Sequence, residues 1–260
     1  MKIVYIIILN IDIFIPIRLG SSRLPKKSLK KINGKFILLH LIDRLQNIEN
    51  IRNIVVCTTT SSIDDELVDH LSHHNILYFR GSEHDILDRY MNAAQKFNTE
   101  FIVNVEGDDI YTDSECVYKI SEEFLKTNSD YIDISNMPLG LSTTGIKVTA
   151  LQKVCLIKQS KNTETGYKEF FTENKLFKIQ HIILNQKFNF PKNTRLTLDY
   201  EEDYKLAKQI FKILGNDFHK SDLAQLLEKN PNLLEITNNL EKQYYTHFEQ
   251  NRTNTSIKDM

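Results

Sequence analysis

From Ile11 to Ile17 the chain reads IDIFIPI, a run of β-branched and aromatic residues that opens onto Gly20, Ser21 and Ser22. Such a run predicts a buried strand ending in a turn. Beyond Asn33-Gly34, the stretch KFILLHLIDRLQN (35–47) places apolar residues at helical spacing with Asp43 and Arg44 on the outer face, which predicts an amphipathic helix. NIVVCT (53–58) then predicts a second buried strand, 63–72 a helix, 76–79 a strand, 86–97 a helix, and EFIVNV (100–105) a strand ending in an acidic turn. Short apolar strands alternating with helices imply βαβ crossovers and a mainly parallel sheet. Ligands of such sheets bind at the carboxyl ends of the strands, so the loops at 18–31, 58–62 and 106–113 mark the edge where a site is expected.

Between 130 and 185 the periodicity breaks up around Pro138, Gly140, Gly145 and Gly166, and a β-rich insertion is expected there. A short strand is read at Arg195 to Leu198. EEDYKLAKQIFKIL (201–214) starts with acids, carries lysines later and stops at Gly215, as the helix dipole and C-cap preferences favour. Ser221 is read as the N-cap of a helix over 222–228, closed before Pro231. There is no internal repeat. These elements are expected to form one domain over 1–249, followed by a polar tail at 250–260 that frays.

Composition narrows the function. The 33 Lys and Arg balance 34 Asp and Glu in 260 residues, and 41% of positions are apolar. This is the make-up of a globular protein with a full core, and it argues against nucleic acid as a partner, which selects a basic excess. Three cysteines without a C-x-x-C pair suggest neither a disulfide framework nor a cysteine zinc site and fit a reducing, cytoplasmic setting. The apolar stretch Ile3 to Leu9 is interrupted by Asp12, lacks a small-residue cleavage site and is too short to span a bilayer. It is read as a strand, not as a targeting or membrane segment.

The charges are nevertheless sorted along the chain. Arg18, Arg23, Lys26, Lys27, Lys30 and Lys31 occur without an acid between positions 18 and 31. A Gly/Ser turn lets backbone N–H groups approach phosphate, with Arg offering a fork and Lys a point charge to the same oxygens. On charge alone a solvated basic loop explains the segment equally well, and neither a Walker A loop nor G-x-G-x-x-G is present. Glu106-Gly107-Asp108-Asp109 follows a strand. It can hold Mg²⁺, which takes one or two carboxylates with water and substrate phosphates, or form an ordinary Asp-Gly turn. Asp199 before the next helix has the same two readings, metal ligand or helix cap. Together, a basic cradle and two separated carboxylates are the parts of metal-assisted nucleotidyl transfer. His70, His73 and His74 are spaced to share a helix face but lack an accompanying carboxylate pattern and are not read as a metal site.

Four ordered motifs then carry a family resemblance. PIRLGSSRLPKKSL (16–29) resembles the P-A-R-x-G-S-x-R-L-P-G-K-x-L signature of cytidylyltransferases that make CMP-activated sugars, the group of the 3-deoxy-manno-octulosonate and acylneuraminate enzymes. FRGSEHDILDRYMNAA (79–94) is similar to the G-S-x-x-D-V-L-x-R-Y segment of the spore-coat polysaccharide branch, VEGDD (105–109) to V-x-G-D-x-P, and RLTLDYEEDYKLAKQIF (195–211) to R-x-T-x-D-x-x-E-D-L. The resemblance implies a Rossmann-like nucleotide-diphospho-sugar transferase fold with helices on both faces of the sheet. It implies that Arg18, Arg23 and Lys27 act on the CTP phosphates and that Leu19, Gly20 and Ser21 help bind nucleotide. Thr58, Asp88 and Arg89 are implied near the base or sugar, and Asp108 and Asp199 as Mg²⁺ carboxylates. The implied partners are CTP and a small sugar-acid-like acceptor, with a homodimer formed through the 130–185 region. Lys26 replaces the family's Gly, Glu106 its frequent Gln or Thr, and Ile110 its Pro, and residues 1–9 precede the usual first strand with no assigned role. Two alternatives stay open: a nucleotidyltransferase using another nucleotide or a non-sugar acceptor, and a catalytically silent nucleotide-sugar-binding module. ETGYKEFFTE (164–173) is loosely similar to the acceptor region of the spore-coat branch, without single roles.

Overall fold

The computed structural model describes residues 9–185 and 187–258; the strand read at Ile3 to Leu9 therefore lies almost wholly outside the described residues. Strand β1 (Ile11–Pro16) is followed by a two-residue hairpin, β2 (Lys31–Ile32) and β3 (Lys35–Phe36), and by helix α1 (Ile37–Arg44). Then come β4 (Asn53–Thr59), α2 (Asp65–His73), β5 (Leu77–Gly81), α3 (Ile86–Phe97), β6 (Phe101–Asn104) and α4 (Ser114–Thr127). The alternation expected from the apolar runs is present. α4 was not among the expected elements, although Cys116, Val117, Ile120 and Phe124, all buried, recur at helical spacing along it.

The second half contributes β7 (Tyr131–Ile134), β8 (Thr144–Lys147), α5 (Val148–Ile157), α6 (Glu169–Thr172) and β9 (Ile179–Ile182). These three strands extend the central sheet, whose order is β5-β4-β1-β6-β8-β7-β9. β5, β4, β1 and β6 run parallel, and β8 is antiparallel to both β6 and β7. The chain closes with α7 (Glu201–Leu214), α8 (Lys220–Lys229), α9 (Asn232–Glu235) and α10 (Leu240–Asn251). No described helix is long and apolar enough to cross a membrane.

Both faces of the sheet are covered. Ile13, Ile15 and Val103 pack with Leu38, Leu41, Leu67 and Ile120 on one side, and Phe14, Val55 and Ile102 with Leu87, Tyr90, Leu151 and Phe170 on the other. A third cluster joins α7 and α8 to Leu24, Ile110 and Leu198 of the loops at the carboxyl edge and to Ile32 of the β2–β3 hairpin, so these two helices brace the loops and the hairpin.

Helix ends follow their capping chemistry. Asp85 accepts from Asp88 N at the start of α3 and Asp113 from Glu115 N at the start of α4, while Asn98 and Asn128 close these helices in the left-handed region. The cap expected at Ser221 is displaced: α8 begins at Lys220 after His219, whose N–H donates to Asp222 Oδ2 at 2.9 Å. The capping box outcompetes the serine because Asp222 reaches back at the N3 position. The strand expected over 195–198 is a single bridge, Leu139 to Arg195, since among the described residues no continuous strand lies beside it. Residues 252–258, within the tail expected to fray, return to the body: Thr253 N donates to Thr165 O and Lys258 N to Ile157 O, each at 2.8 Å.

The close approach at that bridge requires glycine. Gly140 has φ +92°, and a Cβ there would lie 2.2 Å from Thr197 N and 2.3 Å from the Leu196 carbonyl carbon. Replacing Gly140 with Ala is expected to cost about 2 kcal/mol or more, combining the left-handed penalty with displacement of the 195–199 segment. Chemical denaturation of the variant beside the parent measures this; an unchanged midpoint and slope would show that the segment yields freely.

Candidate active site

The strand order changes direction between β1 and β6: the chain leaves β1 for β4 and β5, then returns to add β6 on the other side. That crevice is where open α/β sheets bind ligands, and it opens here into a cleft of about 360 Å³. Its walls are the loop after β1 (Arg18, Gly20 to Arg23, Lys27, Ser28), the turn after β6 (Glu106 to Asp109), the 164–168 segment, Thr197, Asp199, and Tyr244, His247 and Phe248 of α10.

The loop after β1 is tied down before it reaches the cleft. Leu19 N donates to the buried Asp64 Oδ1 at 2.7 Å, and Thr59 N to Asp64 Oδ2 at 3.2 Å. Lys26 N closes back onto Leu19 O at 3.4 Å. Lys26 itself sits at φ 51°, a left-handed conformation that favours Gly, and its ammonium is drawn outward to Glu66. Lys26 thus takes the backbone conformation that the family's Gly favours, with its side chain directed to the surface and Lys27 still turned inward.

Asp108 and Asp199 are brought together by the backbone, because Leu198 N donates to Asp108 O at 3.0 Å. Lys27 Nζ lies 2.7 Å from Asp108 Oδ2 and 3.2 Å from Asp199 Oδ1. Asp199 Oδ1 also takes Arg23 Nη2 at 2.7 Å, and its Oδ2 takes Arg195 Nη2 at 2.9 Å. Burial opposes charge on Asp199, but Lys27, Arg23 and Arg195 together hold its pKa below the usual carboxylate value. Asp108 moves the other way: burial, reinforced by Asp199 and Glu106, outweighs Lys27 and raises it. Burial would also strip the proton from Lys27, yet the two carboxylates keep its pKa above normal.

Two carboxylate oxygens from different segments therefore converge on one cationic position. This donor set suits Mg²⁺, which completes its shell with water and phosphate oxygens. Among the described residues there is no group of three or more His, Cys, Asp or Glu that would hold a metal unaided.

The opposite wall is a chain of paired charges. Glu106 Oε1 accepts from Tyr167 Oη at 2.6 Å and from Lys168 Nζ at 2.7 Å, and Asn104 Nδ2 donates to it at 3.1 Å. These partners lower the Glu106 pKa despite its burial. Arg89 spans from Ser82 O at 2.5 Å to Glu164 Oε1 at 2.9 Å, with Arg18 Nε 3.6 Å from Glu164 Oε2.

Of the residues singled out in the sequence, Arg18, Gly20, Ser21, Arg23, Lys27, Arg89, Asp108 and Asp199 all line the cleft. Leu19 is buried beneath the loop, Thr58 is buried within β4, and Asp88 is exposed on α3; none of these three is among the lining residues. Glu164, Tyr167, Lys168, Tyr244, His247 and Phe248 were not assigned from sequence. The loose similarity at 164–173 points to the first three, and nothing in the pattern of α10 signals the others.

A family model described as Cytidylyltransferase matches residues 13–257. The uncharacterized protein MJ1063 of Methanocaldococcus jannaschii is 32% identical over 237 residues, which covers 90% of this chain and 96% of that one. The spore coat polysaccharide biosynthesis protein SpsF of Bacillus subtilis is 28% identical over 230 residues, 85% of this chain and 95% of that one. A solved structure of a cytidylyltransferase from Leptospira borgpetersenii superposes with a TM-score of 0.77 at 27% identity, covering 86% of this chain and 96% of that one.

Proposed function

This chain belongs to the cytidylyltransferase family and is a CTP-dependent nucleotidyltransferase, and we propose that it transfers CMP from CTP to a sugar acid or related acceptor in the synthesis of surface polysaccharide or glycoconjugate precursors. The observation that carries this reading is the convergence of Lys27, Asp108 and Asp199 at the carboxyl edge between β1 and β6.

An acceptor hydroxyl oxygen gives up its proton to solvent and bonds to the α-phosphorus of CTP, while the bond from that phosphorus to the bridging oxygen breaks and pyrophosphate leaves with the electron pair. Arg18, Arg23 and Lys27 fix the triphosphate oxygens, and the loop at Gly20 and Ser21 lets backbone amides approach them. Mg²⁺ held by Asp108 and Asp199 would supply neutralisation of the charge that develops on the phosphates. The protein's own contribution is positioning and a preorganised field, without covalent chemistry.

The acceptor is read into the space between the 164–168 segment and α10. There Lys168 and Arg89 are already matched by Glu106 and Glu164, so this wall offers hydrogen bonds and orientation more than excess positive charge. The same reading places the enzyme in a reducing cytoplasm, consistent with three free cysteines. It also has the enzyme work as a homodimer through the 130–185 region, where β9 is an edge strand and the adjoining Ile183 is 75% exposed.

Pyrophosphate release measured with each of the four nucleoside triphosphates, Mg²⁺ and a panel of sugar acids tests the proposal. CTP is expected to be used at least about tenfold better than the others, the discrimination that roughly 1.4 kcal/mol of base contacts supplies. Equal use of another triphosphate, or turnover only with non-sugar acceptors, would overturn it.

A further inference from the structure

Asp199 is held from behind by a guanidinium that is itself clamped. Arg195, 4% exposed, gives Nη2 to Asp199 Oδ2 at 2.9 Å and bonds Asp203 through Nε and Nη2, both at 3.3 Å. Among the described residues its remaining nitrogen, Nη1, is buried without a hydrogen-bond partner. Two carboxylates on one side of the fork therefore leave the other side to be fixed by something else. Aromatic faces do this: the Arg195 Cζ lies 4.5 Å from the Tyr244 ring centroid and 5.8 Å from that of Tyr200, both inside cation–π range.

Tyr200 follows Asp199 directly in the chain, whereas Tyr244 arrives from α10, on the far side of the cleft in sequence. Of the twelve residues of α10, Leu240 alone is buried. The helix lies over the cleft through long side chains, and its far end is moored by the Arg252–Glu173 ion pair and by Thr253 N to Thr165 O at 2.8 Å. An almost coreless helix, anchored by Leu240 at its start and moored past its far end, with one ring on Arg195, is arranged to act on Arg195 and not to fill a core.

We propose that Tyr244 is a positioning residue for the active centre: its ring holds Arg195 in plane, and Arg195 in turn sets the orientation of Asp199. The inference rests on the reading of Asp199 as a metal carboxylate. A planar guanidinium can serve Asp199 and Asp203 together only in one orientation. Without the ring, the guanidinium keeps its bond to Asp199, the two 3.3 Å bonds to Asp203 and the more distant Tyr200 face, so its plane is held less tightly and the Asp199 carboxylate is set more by Lys27 and Arg23. The ring face performs this role and the hydroxyl does not, so Phe substitutes for Tyr and an aliphatic residue does not.

Mn²⁺ binding followed by electron paramagnetic resonance in the presence of CTP, together with the Mg²⁺ dependence of pyrophosphate release, tests this in Tyr244→Leu, Tyr244→Phe and Asp199→Asn. Gln243→Ala serves as a control on the same helix, since Gln243 is exposed and is not among the residues lining the cleft. Tyr244→Leu is expected to weaken Mn²⁺ binding and raise the half-saturating Mg²⁺ about 5- to 30-fold, with Tyr244→Phe and Gln243→Ala close to the parent and all melting as folded proteins. If Tyr244→Leu misfolds, Tyr244→Gln carries the same comparison. Parental Mn²⁺ binding in the Leu or Gln variant, or an equal defect in the Phe variant, would overturn the positioning role. If Asp199→Asn itself binds Mn²⁺ and turns over like the parent, the reading of Asp199 fails and takes the inference with it.

Discussion

Replacing Asp108 with Asn is expected to lower CTP-dependent pyrophosphate release by about 1,000-fold, roughly 4 kcal/mol of transition-state stabilisation, while leaving the fold in place. Asn keeps the size and one oxygen of the side chain but removes the charge that faces Lys27 at 2.7 Å. The fold survives because Lys27 retains Asp199 at 3.2 Å and because the backbone bond from Leu198 N to Asp108 O does not involve the side chain. Circular dichroism and a turnover assay at several Mg²⁺ concentrations measure both halves of the prediction. Turnover within tenfold of the parent would remove Asp108 from the metal site.

The second large effect is at Lys27. In the free protein its ammonium occupies the position on which Asp108 and Asp199 converge, so it stabilises two neighbouring carboxylates and must also serve the triphosphate. Lys27→Met keeps the length of the side chain and deletes the charge. Turnover is expected to fall about 100- to 1,000-fold, the range seen when one preorganised electrostatic contact to a developing charge is lost. The carboxylate pair, left with Arg23 and Arg195 on Asp199 but without the Lys27 ammonium that faced Asp108, should in addition make the variant less stable in chelator and more strongly rescued by Mg²⁺ than the parent, because a ligand bound only by the folded state stabilises it. Melting temperatures with EDTA and with Mg²⁺ measure this. An identical Mg²⁺ increment in variant and parent would show that Lys27 and the metal do not share a position.

What could be read in the sequence was what is local. The strand before the basic loop, the basic loop itself and the acidic turn after β6 each announce themselves within a dozen residues, because apolar alternation and turn chemistry are short-range signals. Their meeting at one cleft followed from the parallel topology, which sends the ends of β1 and β6 to the same edge. The place of Asp88 and two misreadings have equally physical causes. Asp88 sits between Leu87 and Arg89, and at 100° per residue those two turn to the core and cleft while Asp88 turns to solvent. Arg195 to Leu198 has strand-like residues but, among the described residues, a glycine-dependent contact with a single bridge as its strand pairing. Ser221 is a sound cap that loses to the reciprocal bonds of His219 and Asp222.

The part of the site that escaped the sequence is α10. Tyr244, His247 and Phe248 belong to a polar helix with one buried residue, and such a helix gives no core stripe to read. Their place in the cleft depends on the C-terminal segment folding back across the 160s, a tertiary event without local signature. The paired charges Glu106–Lys168 and Glu164–Arg89 were hidden for the same reason, since each joins residues from different elements.

The central claim is that Asp108 and Asp199 form one cation site beside a triphosphate cradle made by Arg18, Arg23 and Lys27. A crystal structure with CTP and Mn²⁺, located by its anomalous scattering, tests it most directly. The account predicts the metal bound by carboxylate oxygens of both Asp108 and Asp199, with Lys27 moved from the carboxylates onto the phosphates. A triphosphate seated elsewhere, or a metal touching neither aspartate while Lys27 stays between them, would contradict it.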